Sequence, residues 1–121
     1  MKYTPTHEWI AIEGGIATIG ITDYAQKELG AIVYAELPTI GVTVKAGDEV
    51  CVLESTKAAV DIYTPLSGVI TAINLTLQTA PETINKTAES DGWIFKLRIT
   101  RAVELEDLMD VADYNAYISG N

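Results

Sequence analysis

The chain has 121 residues, of which 48% are hydrophobic, so it is long and apolar enough to form one domain with a real core over residues 1–121. Its 17 Asp plus Glu outnumber its 8 Lys plus Arg, and the net charge of -9 repels phosphate backbones and anionic lipid, which makes nucleic acid and membranes poor candidate partners. One cysteine and one histidine allow neither an internal disulfide nor the usual zinc cluster.

The N-terminal quarter predicts a β-hairpin followed by a short helix. Polar and apolar residues roughly alternate over 8–12, Gly14-Gly15 offers a tight reversal, and 16–21 is rich in β-forming residues. Asp23 and Gln26 have capping-box spacing and Gly30 stands at a helix stop, so a helix of about two turns follows.

The middle of the chain predicts strands and turns. The apolar run 31–37, ended by Pro38, predicts a buried strand. Valine-rich segments flank the polar stretch 54–58, which indicates a second hairpin with polar residues at its tip. Another strand is expected over 69–73, after the Ser67-Gly68 turn.

The C-terminal third predicts one strand and then helix. Residues 93–99 alternate, with one mostly apolar face, and the period then becomes helical. The helical positions are Leu105, Leu108, Met109 and Ala112. We expect one or two short helices packed on the outside of a sandwich or flattened barrel.

Membrane insertion and export are not expected. No stretch approaches the roughly 18 consecutive apolar residues of a membrane-spanning helix. The first eight residues lack the pattern of a secretory signal or an arginine-rich transit peptide. We expect a cytoplasmic bacterial protein, or a mitochondrial one if a transit peptide has been removed.

Lys57 is the first candidate functional residue. It stands at the tip of the second predicted hairpin among small residues, so its amine should be accessible, and Glu54 and Asp61 should favour its charged form. Acylation there would make the region still more acidic. These features alone would fit an ordinary exposed turn lysine better than a modified one.

The surroundings of Lys57 are more specific. The segment Glu54-Ser55-Thr56-Lys57-Ala58-Ala59, followed by Ser67-Gly68, resembles the swinging-arm hairpin of lipoyl and biotinyl domains. Biotin carriers have methionine on both sides of the lysine, whereas Thr56 and Ala58 stand here, so lipoyl is favoured.

The resemblance extends over nearly the whole chain, to the H proteins of the glycine cleavage system. The matching segments are Lys2-Tyr3, Thr6-His7-Glu8-Trp9, 20–26, Leu29-Gly30, Val33-Tyr34, Glu36-Leu37-Pro38, Gly41, 54–59, Asp61-Ile62-Tyr63, Pro65, Ser67-Gly68, Asn74, Pro81, Asn85 and Gly92-Trp93. Their order and spacing are more specific than a short motif.

The resemblance implies a mainly β flattened barrel-sandwich hybrid of lipoyl-domain type, with a short internal helix and C-terminal helices. It implies lipoate linked covalently to Lys57 and a carrier without catalytic residues or metal. The implied partners are lipoate-attaching enzymes, glycine decarboxylase, a tetrahydrofolate-dependent aminomethyltransferase and dihydrolipoyl dehydrogenase. Glu8 and Asp61 match the acidic residues that hold the amino group of the loaded arm in a cleft; by spacing alone they would be solvated strand-end carboxylates.

Other candidates have structural interpretations. His7 has no partner from a catalytic signature and is expected to be structural or to line the cleft. Cys51, between two valines, is expected to be a small core residue. The acidic residues Glu104, Glu106, Asp107 and Asp110 fit a solvated helix face better than a docking surface.

The chain departs from the family pattern at Thr56, at Val60 and over 87–91. These positions bear on which enzymes the carrier serves rather than on whether it is a carrier. An H-like lipoate carrier or lipoyl relay in another pathway, such as sulfur oxidation, is the alternative. A plain β-rich interaction module is a third hypothesis, in which Lys57 would have no role.

Overall fold

The computed structural model describes residues 1–120, which form nine strands, four α-helices and one 3-10 helix. The strands are β1 (Lys2–Tyr3), β2 (Glu8–Glu13), β3 (Ile16–Ile21), β4 (Ile32–Glu36), β5 (Thr43–Val44), β6 (Glu49–Ser55), β7 (Ala59–Tyr63), β8 (Gly68–Ile73) and β9 (Phe95–Ile99). The helices are α1 (Asp23–Leu29), α2 (Thr76–Thr79), α3 (Thr83–Thr87), the 3-10 helix (Ala102–Asp107) and α4 (Val111–Ile118).

Two antiparallel sheets enclose one core. The six-stranded sheet has the order β1-β2-β3-β9-β8-β5 and the three-stranded sheet has the order β4-β6-β7. Ile10, Ile19 and Phe95 from the larger sheet pack in the same buried cluster as Leu53 and Ile62 from the smaller sheet. The mainly β, flattened sandwich predicted from the sequence is confirmed, and neither sheet closes into a barrel.

The first hairpin matches its prediction. Strands β2 and β3 pair from Glu8 opposite Ile21 to Glu13 opposite Ile16. Gly14 and Gly15 both have positive φ, 57° and 79°, as the tight turn between twisted antiparallel strands requires.

Helix α1 begins one residue earlier than the capping-box spacing predicted. Thr22, not Asp23, is the N-cap, and its hydroxyl accepts the Ala25 N–H. Asp23 instead accepts a hydrogen bond from the Gln26 side chain, at 2.9 Å. The predicted stop is right: the Gly30 N–H donates to the Gln26 carbonyl, and Gly30 has φ 81° and ψ -161°.

The prediction of a buried strand over 31–37 is only partly right. Strand β4 lies at the edge of the three-stranded sheet, so Ile32 and Ala35 face the core while Val33 and Tyr34 are exposed. A bulge between Ile32 and Tyr34 shifts its register against β6. An apolar run therefore did not mean burial on both faces.

The segment between β8 and β9 contains two short helices, α2 and α3, which the sequence pattern did not predict. Asn74 anchors the return of this segment, because its amide donates to the carbonyls of Asp91 and Trp93 at 2.8 and 2.7 Å. The following strand consequently begins at Phe95 rather than at Trp93.

The C-terminal helical segment packs on the body of the protein as predicted, and three of its four predicted positions, Leu105, Leu108 and Met109, make apolar contacts. Ala112 is exposed, whereas Tyr114 of α4 is buried and stacks on Tyr3 with ring centroids 4.7 Å apart. Among residues 1–120, no helix has the length and apolar character needed to cross a membrane.

Candidate functional site

Lys57 lies at the tip of the β6–β7 hairpin. The Ser55 hydroxyl organises the tip: it accepts the backbone N–H groups of Lys57 and Ala58, both at 3.1 Å. The Ser55 N–H donates to the Ala58 carbonyl at 2.8 Å and closes the turn. Short polar side chains favour such local bonds to the backbone, which explains why a stiff tip forms at this sequence.

The side chain of Lys57 is exposed and extends over Gly30, at the end of α1. A Cβ atom at Gly30 would lie 3.4 Å from Lys57 Cε and 3.8 Å from Nζ. Neither Glu54 nor Asp61 forms an ion pair with the ammonium: the ion pairs of the described residues are Lys27–Asp23 and Arg101–Glu104. The amine is thus open to an enzyme, with glycine leaving room beside it.

A cleft of about 400 Å³ lies between α1 and strand β7. Its wall includes the two predicted acidic residues, Glu8 and Asp61, together with His7, and Val60 lines it as well. Tyr24 and Glu28 of α1 also line the cleft, and neither was among the predicted site residues. Three carboxylates and no Lys or Arg among the lining residues make the cleft attractive to a cation.

Glu8 is almost fully buried, with 3% of its surface exposed. The hydroxyls of Thr4 and Thr6 both donate to its Oε1 atom, at 2.7 Å each. No fully buried side-chain oxygen in residues 1–120 lacks a hydrogen bond, so the second oxygen, Oε2, which has no partner, is not completely buried. Burial raises the pKa of Glu8 and the two hydroxyls oppose that rise.

The two predicted carboxylates differ in environment. Asp61 is exposed on β7, whereas Glu8 sits at the start of β2 inside the turn formed by 4–7. The threonines that hold Glu8 stand four and two residues before it, a short-range signal that could have been noticed in the sequence. The structure brings both carboxylates to one cleft.

His7 lines the cleft and connects it to α4. It has the one positive φ among the described non-glycine residues, 72°, and its Nδ1 lies 2.8 Å from the Tyr114 hydroxyl. That hydroxyl lies 2.7 Å from the hydroxyl of Thr22, the buried N-cap of α1. Burial lowers the pKa of His7, with an opposing effect from Glu28, and this favours the neutral ring.

The order of donors in this network follows from burial. Thr22 is 0% exposed, so the hydrogen of its hydroxyl needs an acceptor, and the Tyr114 oxygen is the one within reach, at 2.7 Å. The Tyr114 hydroxyl then donates to His7 Nδ1, which leaves the His7 hydrogen on Nε2. The wall of the cleft is therefore fixed to both α1 and α4.

The remaining candidates lie elsewhere. Cys51 is buried in the core and burial raises the pKa of its thiol to about 12. Within the 1–120 stretch, no cluster of three or more His, Cys, Asp or Glu side chains could hold a metal ion. Glu104 is not simply solvated, because its carboxylate accepts both the N–H and the hydroxyl of Ser67.

The divergent segment 87–91 is a structural support of the cleft rather than a free loop. Glu89 accepts the backbone N–H of Asp23 at 2.9 Å, at the start of α1. Its other oxygen lies 3.4 Å from the Tyr3 hydroxyl. The Ala88 carbonyl accepts the indole N–H of Trp9 at 2.8 Å, so the segment is tied to β2 as well.

Comparison with known proteins gives one consistent result. The family model described as Glycine cleavage H-protein matches residues 1–121. The glycine cleavage system H protein of Thermotoga maritima is 52% identical over 116 residues, which cover 96% of this chain and 94% of that protein. The corresponding protein of Phenylobacterium zucineum is 46% identical over 121 residues, the full length of both chains.

A solved structure agrees with the sequence comparison. The crystal structure of a glycine cleavage system H protein from Mycobacterium marinum superposes with a TM-score of 0.89 at 32% identity. The match covers 98% of this chain and 95% of that one. The chain therefore belongs to the glycine cleavage H-protein family, whose members are lipoyl-carrier subunits of the glycine cleavage system and not enzymes.

Proposed function

We propose that residues 1–121 form a single carrier domain with lipoate attached as an amide to Lys57. In this function the carrier takes the aminomethyl group of glycine from glycine decarboxylase to the tetrahydrofolate-dependent aminomethyltransferase. It then presents the dithiol to dihydrolipoyl dehydrogenase, and lipoate-attaching enzymes are its further partners. The observation that supports this most directly is an exposed lysine on a stiff hairpin tip beside an acidic cleft.

The residues around Lys57 fit a lipoyl group. The Nζ atom is accessible for acylation, and Gly30 leaves a space beside the lysine that a Cβ would narrow to 3.4 Å from Cε. When bound, the lipoyl group supplies the disulfide and dithiol chemistry that the chain itself lacks. A carried group tethered through Lys57 has a high effective concentration at a partner's active site and at the cleft, because it does not diffuse freely.

The chain's own contribution is to hold a cationic amino group. Glu8 lines the cleft and has one oxygen bound by two threonine hydroxyls, so its carboxylate is already oriented before a cation arrives. An ammonium there would offset the desolvation of Glu8, which raises its pKa in the empty cleft. Asp61, at the exposed side, supplies a second negative charge. We propose that these two carboxylates, Glu8 above all, retain the amino group between enzymes.

The test is intact mass after coexpression with a lipoate ligase, with the modified residue mapped by proteolysis. We expect the mass to increase by one lipoyl amide at Lys57 and the modified protein to support glycine–bicarbonate exchange by glycine decarboxylase. Lys57→Arg should abolish both. Lys45→Arg, at another exposed turn, is the matched control and should abolish neither.

Each unfavourable outcome has a distinct meaning. An unmodified chain in the presence of active ligase would contradict the attachment site. A modified chain that does not support exchange would favour the H-like carrier of another pathway. If the glycine cleavage function holds, we place the carrier in the bacterial cytoplasm together with its partner enzymes, and cell fractionation checks this placement.

A further inference from the structure

Asn85, on α3, holds the backbone that lies under Lys57. Its Oδ1 accepts the Ile32 N–H at 2.8 Å, and its Nδ2 donates to the Gly30 carbonyl at 2.9 Å and to Gln26 Oε1 at 2.9 Å. Both amide hydrogens and the amide oxygen are thus used. The side chain fixes the main chain on both sides of Ala31.

Segment 30–32 is in turn the support of the hairpin tip. The Ala31 carbonyl accepts the N–H of Thr56 at 3.0 Å, next to Lys57. The backbone hydrogen bonds of Lys57 and Ala58 stay within the hairpin, so this bond is the tie between the tip and segment 30–32. The stem of Lys57 extends over Gly30, whose carbonyl Asn85 binds.

The register of β4 explains why a side chain is needed. Ile32 stands opposite Ser55, and the hydrogen bond from the Thr56 N–H to the Ala31 carbonyl flanks this pair, so the Ile32 N–H faces away from β6. Because β4 is an edge strand, no other strand lies on that side. The Ile32 N–H is bound by Asn85 rather than by the neighbouring strand. Without that side chain, the end of β4 that supports the hairpin would lose its fixed position.

We propose that Asn85 is a positioning residue for Lys57, which acts through segment 30–32 to set where the hairpin tip is held against the end of α1. The inference rests on the proposed role of Lys57 as the attachment site. Asn85 touches neither the amine nor the carried group. Its effect is to present the tip in one arrangement to the enzymes that modify or use it.

Asn74 provides a closely matched control. Its Nδ2 also donates to two oxygens, the carbonyls of Asp91 and Trp93, and its Oδ1 also accepts one backbone N–H, that of Thr76. It anchors the segment between β8 and β9, and none of its side-chain hydrogen bonds involves the hairpin tip. Substituting either asparagine with alanine removes two donated hydrogen bonds and one accepted hydrogen bond, at different places in the fold.

The first measurement is amide hydrogen exchange of the unmodified protein. In Asn85→Ala we expect the Thr56 N–H to exchange about tenfold faster or more, the factor that one or two lost hydrogen bonds represent. The Ser55 N–H, bonded inside the hairpin, is the internal reference and should change much less. Asn74→Ala should leave the ratio of the Thr56 rate to the Ser55 rate unchanged.

The second measurement is the kinetics of lipoylation by a lipoate ligase. We expect Asn85→Ala to raise KM severalfold with a smaller change in kcat, and Asn74→Ala to alter neither. A parent chain that is not lipoylated would overturn the proposed function, whereas the exchange experiment would still test the position of the tip. The two failures are therefore distinguishable.

Aspartate variants cover the case in which alanine prevents folding. Asn85→Asp keeps the acceptor for Ile32 but sets a carboxylate against two oxygens, and Asn74→Asp does the same at its own site. Equal acceleration of Thr56 exchange in the two asparagine variants would overturn the proposal. So would unfolding of both Asn85 variants while the Asn74 variants fold, because Asn85 would then be a general stability residue.

Discussion

Replacing Gly30 with alanine should weaken the fold and disturb Lys57 at the same time. The φ of 81° and ψ of -161° at Gly30 lie in a region that essentially only glycine occupies, where other residues incur strain of about 1–3 kcal/mol. The new Cβ would also lie 3.4 Å from Lys57 Cε, but the lysine stem can move. Backbone strain should therefore dominate, and we expect a loss of about 2 kcal/mol of unfolding free energy.

Thermal denaturation converts this loss into a measurable shift. A chain of 121 residues unfolds with an entropy of about 0.25 kcal/mol/K, so about 2 kcal/mol lowers Tm by about 8 °C. Gly15→Ala is the matched control, because Gly15 also has a positive φ, 79°, but has no atom within 4 Å of an added Cβ. Both variants should lose stability, and only Gly30→Ala should slow lipoylation of Lys57. A Gly30→Ala protein within about 0.5 kcal/mol of the parent, or lipoylated as fast as Gly15→Ala, would refute this reasoning.

Three further predictions follow from buried contacts. Because the folded-state pKa of Glu8 is raised, its ionised form lowers the stability of the fold at neutral pH, and this loss disappears as pH falls through that pKa toward the ordinary value of 4.5. In urea titrations, Glu8→Gln should therefore be more stable than the parent at pH 7, and the difference should narrow in acid. A Glu8→Gln protein that is less stable than the parent at pH 7 would contradict this. Tyr114→Phe should lose about 1–3 kcal/mol of unfolding free energy, because it removes the hydroxyl that binds His7 Nδ1 and the Thr22 hydroxyl. The NMR signals of the His7 ring nitrogens should also shift. Unchanged signals would argue against the network. Gly68→Ala should fail to fold, as judged by circular dichroism, because its Cβ would clash with the backbone carbonyl oxygen of Arg98 in β9. A native spectrum would show that the strands can separate there.

Local patterns were sufficient where the structure is local. The Gly14-Gly15 hairpin and the polar tip around Lys57 were predicted because turn chemistry and strand alternation lie within a few residues. The edge position of β4 was not predicted. Strands that are distant in the sequence decide whether an apolar strand is paired on one edge or on both edges. Helices α2 and α3, of 4 and 5 residues, are too short to show a helical period.

The candidate site shows the same difference between features that are local in the sequence and features formed by distant segments. Lys57 could be identified from its own hairpin, whereas the cleft is assembled from the turn before β2, from α1 and from β7, which are far apart in the sequence. The two threonines before Glu8 are a local signal, whereas the network from His7 to Tyr114 has none, because it depends on α4 returning to β1. Resemblance to a family, rather than periodicity, was what pointed to Glu8 and Asp61.

The position of Cys51 limits the redox chemistry that the polypeptide itself can take part in. It is the chain's single cysteine, it lies inside the core, and with a pKa of about 12 only on the order of one molecule in 10⁵ carries a thiolate there at pH 7. Thiol–disulfide exchange requires a thiolate, so Cys51 cannot form a mixed disulfide with the disulfide of another molecule. A dithiolane carried by this protein would be its sole reversible redox couple, and its oxidation state would be decided by external enzymes alone.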